Sequence, residues 1–135
     1  MASSRPARAA ARRVLIVDDA HSFRSRLRHL LTQLGYWRIY EAASGRDAIA
    51  TVQANRFDLV LLDVALGDVD GISVLKTIRR LDRRARVVVV TAAATEAVVR
   101  QAMAAGAAKV FVKPIDDGAF KSELRALVER DEGRF

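Results

Sequence analysis

The chain has 135 residues, 51% of them hydrophobic, a formal net charge of +7 and no cysteine. That length fits one domain, the composition excludes a disordered chain, and the missing cysteines exclude disulfides and cysteine-ligated zinc, so a reducing cytoplasm is the expected compartment. No apolar run approaches the roughly 18 residues of a membrane span, and after MASSRPARAAARR the apolar run VLIV stops at an aspartate, too early for a signal-peptide core.

Residues 1–12 read as a flexible basic leader, and Arg5, Arg8, Arg12 and Arg13 fall in or beside it. The first apolar run, VLIV (14–17), predicts a strand that ends in two adjacent acids, Asp18 and Asp19. FRSRLRHLLTQL then sets Phe23, Leu27, Leu30, Leu31 and Leu34 on one helical face, with Gly35 as a stop. WRIY (37–40) is a mixed run and predicts an edge strand. Ala48, Ile49 and Val52 mark a second helix, stopped at Asn55. DLVLL (58–62) predicts a third strand, and it runs into Asp63. Ile72, Leu75 and Ile78 mark a third helix, followed by Arg79, Arg80, Arg83, Arg84 and Arg86. VVVV (87–90) predicts a fourth strand ending at Thr91; Val98, Ala102 and Met103 mark a fourth helix, stopped at Gly106. VFV (110–112) is short and flanked by lysines, which predicts the other edge, and Lys113-Pro114 follow it. Phe120, Leu124, Leu127 and Val128 mark a closing helix, with 131–135 as a polar tail.

Five strands alternating with five helices predict an α/β domain over 13–130 with a doubly wound parallel sheet in the flavodoxin-like (βα)5 order 2-1-3-4-5. VLIV, LVLL and VVVV read as continuous runs because central strands of such sheets are covered on both faces. Parallel strands send their carboxyl ends to one edge, so Asp18, Asp19, Asp63, Thr91 and Lys113 converge on one crevice. Three clustered carboxylates repel unless a cation sits among them. Hard oxygen donors without histidine or cysteine select Mg²⁺, Mn²⁺ or Ca²⁺. A carboxylate there can also act as a nucleophile and form an aspartyl-phosphate.

With these residues in view, the sequence resembles the receiver domain of bacterial response regulators, of the single-domain chemotaxis-regulator type. The stretches that carry the resemblance are VLIVDDAHSFRSRLRHLL, FDLVLLDVALGDVDGISVLKTIR, VVVVTAAAT and GAAKVFVKPI. The resemblance implies that Asp63 accepts a phosphoryl group. It implies Asp19 as a direct Mg²⁺ ligand, Asp18 as one acting through water, and the backbone carbonyl of Ala65 as a further ligand. Lys113 would pair with the acceptor or its phosphate, Thr91 would supply the switch hydroxyl, and Ala92 would leave room beside it. Asp70-Gly71 matches the turn before the third helix.

Two positions depart from the family pattern. The usual proline four residues after the acceptor is Gly67, which predicts a looser loop. The switch aromatic is replaced by Val110; Phe111 lies one residue on, faces the other side of the strand, and is expected in the core. His21 is expected to be exposed at the start of the first helix, and Trp37 to be packing or edge-strand surface.

The resemblance also implies partners. A histidine kinase or phosphotransfer protein would donate the phosphoryl group, and a downstream protein would read the switch on the fourth helix, fifth strand and fifth helix. A homodimer stays open, and no membrane partner is implied. The chain would be a phospho-acceptor that catalyses its own phosphorylation and dephosphorylation rather than an enzyme acting on a separate substrate. Ala65 and Ala93 cannot hold an attacking water, so self-dephosphorylation is expected to be slow. Two other functions compete. A phosphohydrolase working through an aspartyl-phosphate commonly needs a second acid at the position of Ala65. A basic nucleic-acid-binding module would lean on the arginines, but a solvated tail and a solvated helix end account for them. No aromatic residues interleave with them, so nucleic acid is not an expected partner.

Overall fold

The computed structural model describes residues 12–36 and 38–132. Its five strands are β1 (Arg13–Val17), β2 (Arg38–Ala42), β3 (Leu59–Leu62), β4 (Arg86–Thr91) and β5 (Lys109–Val112). All neighbours pair in parallel, in the order β2-β1-β3-β4-β5. Between and after them lie α1 (His21–Gln33), α2 (Gly45–Ala54), α3 (Gly71–Leu81), α4 (Glu96–Ala104) and α5 (Asp117–Glu132). This is the doubly wound arrangement that the alternating pattern predicts.

The central strands carry unbroken apolar runs because each feeds two cores. Leu15, Val17, Val60, Leu62, Val87 and Val89 point to one face, where Ala48 and Val52 of α2, Val74, Leu75 and Ile78 of α3, and Ala102 of α4 cover them. Val14, Ile16, Leu59, Leu61, Val88 and Val90 point to the other, beneath Leu27, Leu30 and Leu31 of α1 and Phe120, Leu124, Leu127 and Val128 of α5. The alternation follows from the two-residue period of a strand. Phe111 is buried in the second core, with its ring centroid 4.8 Å from that of Phe120. Val110 is half-buried against the first core. The expected opposition of these neighbours is thus observed.

Local signals fix the helix ends. Ser44, Asp70 and Thr95 accept hydrogen bonds from the first-turn amides of α2, α3 and α4. Gly35 and Gly106, just past α1 and α4, adopt φ of 97° and 106°, where glycine carries no steric penalty. His21 is exposed at the first position of α1, as expected.

Two expectations need correction. β2 begins at Arg38 and runs on to Ala42, because Glu41 and Ala42 pair with Ile16 and Val17 of β1. A charged Glu followed by a small Ala extends no apolar run, so the ladder with β1 decides its extent. Met103 is exposed rather than part of the buried face of α4. Five residues past Val98 it lies about 140° around the helix, off the face that Ala102 buries. α5 runs to Glu132, so the polar tail expected over 131–135 begins within the last turn of that helix, which leaves that expectation unchanged. The leader up to residue 11, Trp37 and residues 133–135 lie outside the described residues, and no helix among those described is long and apolar enough to cross a membrane.

The exposed edge of the sheet is braced by charge. Arg24 Nε and Arg28 Nε of α1 each donate to Glu41 of β2 at 2.9 Å, and Arg24 Nη1 donates to the carbonyl of Asp18 at 2.7 Å. Burial pushes the Glu41 carboxyl up, but the hydrogen bonds and charges of Arg28 and Arg24 outweigh it and hold its pKa below the ordinary value.

Two predictions follow from these contacts. A Cβ added at Gly71 would run into the backbone of Val64, which cannot move aside as a side-chain tip could. Gly71→Ala should therefore lower unfolding stability by about 1–3 kcal/mol, seen as a reduced denaturant midpoint at unchanged slope. A carboxyl held low in the folded state stabilises the fold above its unfolded pKa and loses that contribution as pH falls through the folded value. Glu41→Gln should accordingly be less stable than the parent at neutral pH. The gap between the two melting curves should close as pH drops below about 4.3.

Candidate functional site

The carboxyl ends of β1, β3 and β5 carry the reactive side chains, and the sheet ladder sets their backbones. The amides of Asp18, Asp63 and Lys113 donate to the carbonyls of Ala42, Val17 and Thr91, at 3.1, 2.9 and 2.9 Å. Each residue is thereby placed one step beyond its strand, still in register, where its side chain leaves the core and enters the crevice.

Lys113 joins the ends together. Its Nζ donates to Asp18 Oδ2 at 2.6 Å and to Asp63 Oδ2 at 3.0 Å. The other oxygen of each carboxylate is held locally: Asp18 Oδ1 accepts from the Ala20 amide and Asp63 Oδ1 from the Ala65 amide, both at 2.9 Å. Asp18 is 1% exposed and Asp63 6% exposed. Burial at this depth favours charged groups only when they are paired and hydrogen-bonded, as both are. For the Lys113 ammonium, burial lowers the pKa, but the hydrogen bonds and charges of Asp18 and Asp63 outweigh it and raise it above the ordinary lysine value. The ammonium also stands 4.1 Å from the ring centroid of Phe23, a cation–π contact that supports its underside.

Thr91 ends β4 between these groups and is fully buried. Its Oγ1 accepts from the Ala93 amide at 3.2 Å, which leaves the hydroxyl proton to donate elsewhere. Ala92 beside it is small and exposed. Lys113-Pro114 is a cis peptide.

The structure therefore brings together Asp18, Asp63 and Lys113, with Thr91 at the end of the strand between β3 and β5. Of the three expected carboxylates, Asp18 and Asp63 share the Lys113 ammonium. Asp19 is exposed, and no group of three carboxylate or imidazole side chains suited to a metal ion occurs among the described residues. The cation between Asp18 and Asp63 is the Lys113 ammonium. The donor set, carboxylate and carbonyl oxygens without nitrogen or sulfur, nonetheless fits a hard divalent ion.

Sequence patterns missed two members of this region. Phe23 reads as one more apolar position of α1, and only the fold puts it under Lys113. Asp68 carries no pattern signal in the sequence, yet its Oδ1 and Oδ2 accept from the amides of Gly45 and Arg46 at the start of α2, at 3.0 and 3.1 Å. These amides hold its carboxyl below the usual range. Gly67, expected to loosen the loop, adopts φ of 87°, which a proline ring cannot.

Known proteins resemble this chain in sequence and fold. The family model for the response regulator receiver domain covers residues 14–125. The chemotaxis protein CheY of Thermotoga maritima is 37% identical over 103 residues, covering 76% of this chain and 86% of its own. The sporulation initiation phosphotransferase F of Bacillus subtilis is 36% identical over 104 residues, covering 77% of this chain and 83% of its own. Among solved structures, CheY in the CheX–CheY–BeF3–Mg²⁺ complex from Borrelia burgdorferi superposes with a TM-score of 0.82 at 30% identity, over 88% of this chain and 90% of its own. Together with the strand order and the acid–ammonium cluster at the strand ends, these matches show that the chain belongs to the response regulator receiver domain family, the phospho-acceptor switches of two-component signalling.

Proposed function

We propose that Asp63 is the phospho-acceptor and that Asp18, Asp19, Asp63 and the Ala65 carbonyl hold Mg²⁺, or Mn²⁺ in its place. The observation that carries this reading is the shared ammonium: Lys113 bonds both Asp18 and Asp63, two buried acids from different strands. Two carboxylates against one ammonium leave the pocket one positive charge short, which is the electrostatic condition for taking up a cation. A divalent ion bound there supplies positive charge against the incoming phosphoryl oxygens.

The protein's own groups do the positioning. The Ala65 amide and Lys113 Nζ hold one oxygen each of Asp63, which fixes the plane of the nucleophile. An Asp63 oxygen attacks phosphorus of a phosphohistidine donor on a histidine kinase or phosphotransfer protein. The phosphorus–nitrogen bond breaks, and the imidazole leaves with its electron pair. Lys113 then pairs with the new phosphoryl oxygens, and Thr91 donates its free hydroxyl proton to them. Both groups are drawn toward the new negative charge, and this biases a two-state equilibrium. Met103 of α4 and Val112 of β5 are exposed, which supports the α4-β5-α5 face as the surface for a downstream protein.

Phosphorylation is tested with acetyl phosphate or a kinase in the presence of Mg²⁺. Asp63→Ala should lose all labelling, and undiminished labelling would reject the assignment. Lifetime is a separate expectation. Ala65 and Ala93 are exposed beside the site and have no side-chain group to hold a water. Purified phosphorylated protein should decay over minutes or longer, and a half-life of seconds without a phosphatase would contradict this account.

A further inference from the structure

We propose that Asp68 is a positioning residue: it ties the β3–α3 loop to the N-terminus of α2 and so holds the Ala65 segment in place beside Asp63. The part of this concerning the cation rests on the functional reading above. The clamp is not a helix cap in disguise. α2 already has its own cap, because Ser44 Oγ accepts from the Asp47 amide at 3.1 Å. Asp68 comes from a loop more than twenty residues away and takes two further first-turn amides, one on each carboxylate oxygen.

The packing around it has the same direction. A side chain at Gly45 would collide with Val69 and crowd Val74, so the loop lies directly against the start of α2. Gly67, immediately before Asp68, takes φ of 87°, and no heavy atom lies within 4 Å of where a Cβ would be. The conformation of the backbone, and not crowding, is what demands glycine there. At the other end the Ala65 amide bonds Asp63, and Gly71 sits against the Val64 backbone. Residues 65–67 are therefore strung between two anchors, and Asp68 is the one that reaches outside the loop. Removing it frees the segment that carries both the Ala65 amide and the Ala65 carbonyl. Residues that orient a metal ligand influence metal affinity through the ligand's placement, and Asp68 would act on Ala65 through the backbone between them.

The test uses the full chain and two NMR measurements below its melting temperature: solvent exchange at the Ala65 amide without metal, and amide shifts during titration with Mg²⁺ alone. Asp68→Ala should speed Ala65 exchange and weaken Mg²⁺ binding by about tenfold. Asp68→Asn, which keeps one acceptor oxygen, should fall between it and the parent. Ser44→Ala weakens the same helix end without touching the loop, and it should leave both readings at parent values. Unchanged Ala65 exchange in Asp68→Ala, or an equal effect of Ser44→Ala, would overturn the proposal. If Asp68→Ala speeds exchange while the parent takes up no Mg²⁺, the clamp stands and the cation reading falls.

Discussion

An ammonium shared by two buried carboxylates governs the functional end of this molecule. Asp18 and Asp63 leave adjacent strands, β1 and β3, and Lys113 arrives from β5, with β4 lying between. A lysine suits that task because its stem is long enough to cross over the end of β4, and the Phe23 ring supports the head when it arrives. Isolated, any of these charges would be costly at such depth. Together they satisfy one another, and removing one partner from such a group typically costs about 3–5 kcal/mol because the other charge is left behind.

That cluster also suits the proposed response to a phosphoryl group. Its charges are balanced only in part, and the Thr91 hydroxyl proton is left uncommitted by the amide its oxygen accepts. Added negative charge on Asp63 would thus meet the Lys113 ammonium already bonded to it. The sheet behind them is close-packed on both faces.

The β3–α3 loop is an instance of one residue changing what another must do. Glycine in place of the usual proline removes a fixed φ, and by itself that would increase the freedom of the segment beside the acceptor. Here the chain uses the freedom to enter a conformation closed to proline, and in that conformation Asp68 meets two amides of α2. The loop thus meets α2 through the Asp68 carboxylate, a contact that Gly67 by itself does not foretell.

The sequence by itself determined the strand and helix alternation, the strand order and the identity of the residues at the carboxyl edge. These are properties of hydrophobic period and of chirality, and both are written locally in the chain: VLIV, LVLL and VVVV could only be central strands, and the acids, Thr91 and Lys113 could only follow them. Tertiary structure alone decided which of those groups touch. Asp18 pairs with Lys113 while its neighbour Asp19 turns to solvent, Phe23 lies under an ammonium ninety residues away in sequence, and Asp68 crosses to another helix. Such contacts depend on side-chain directions and loop paths settled by packing between distant segments, and no spacing along a single chain encodes a distance of that kind.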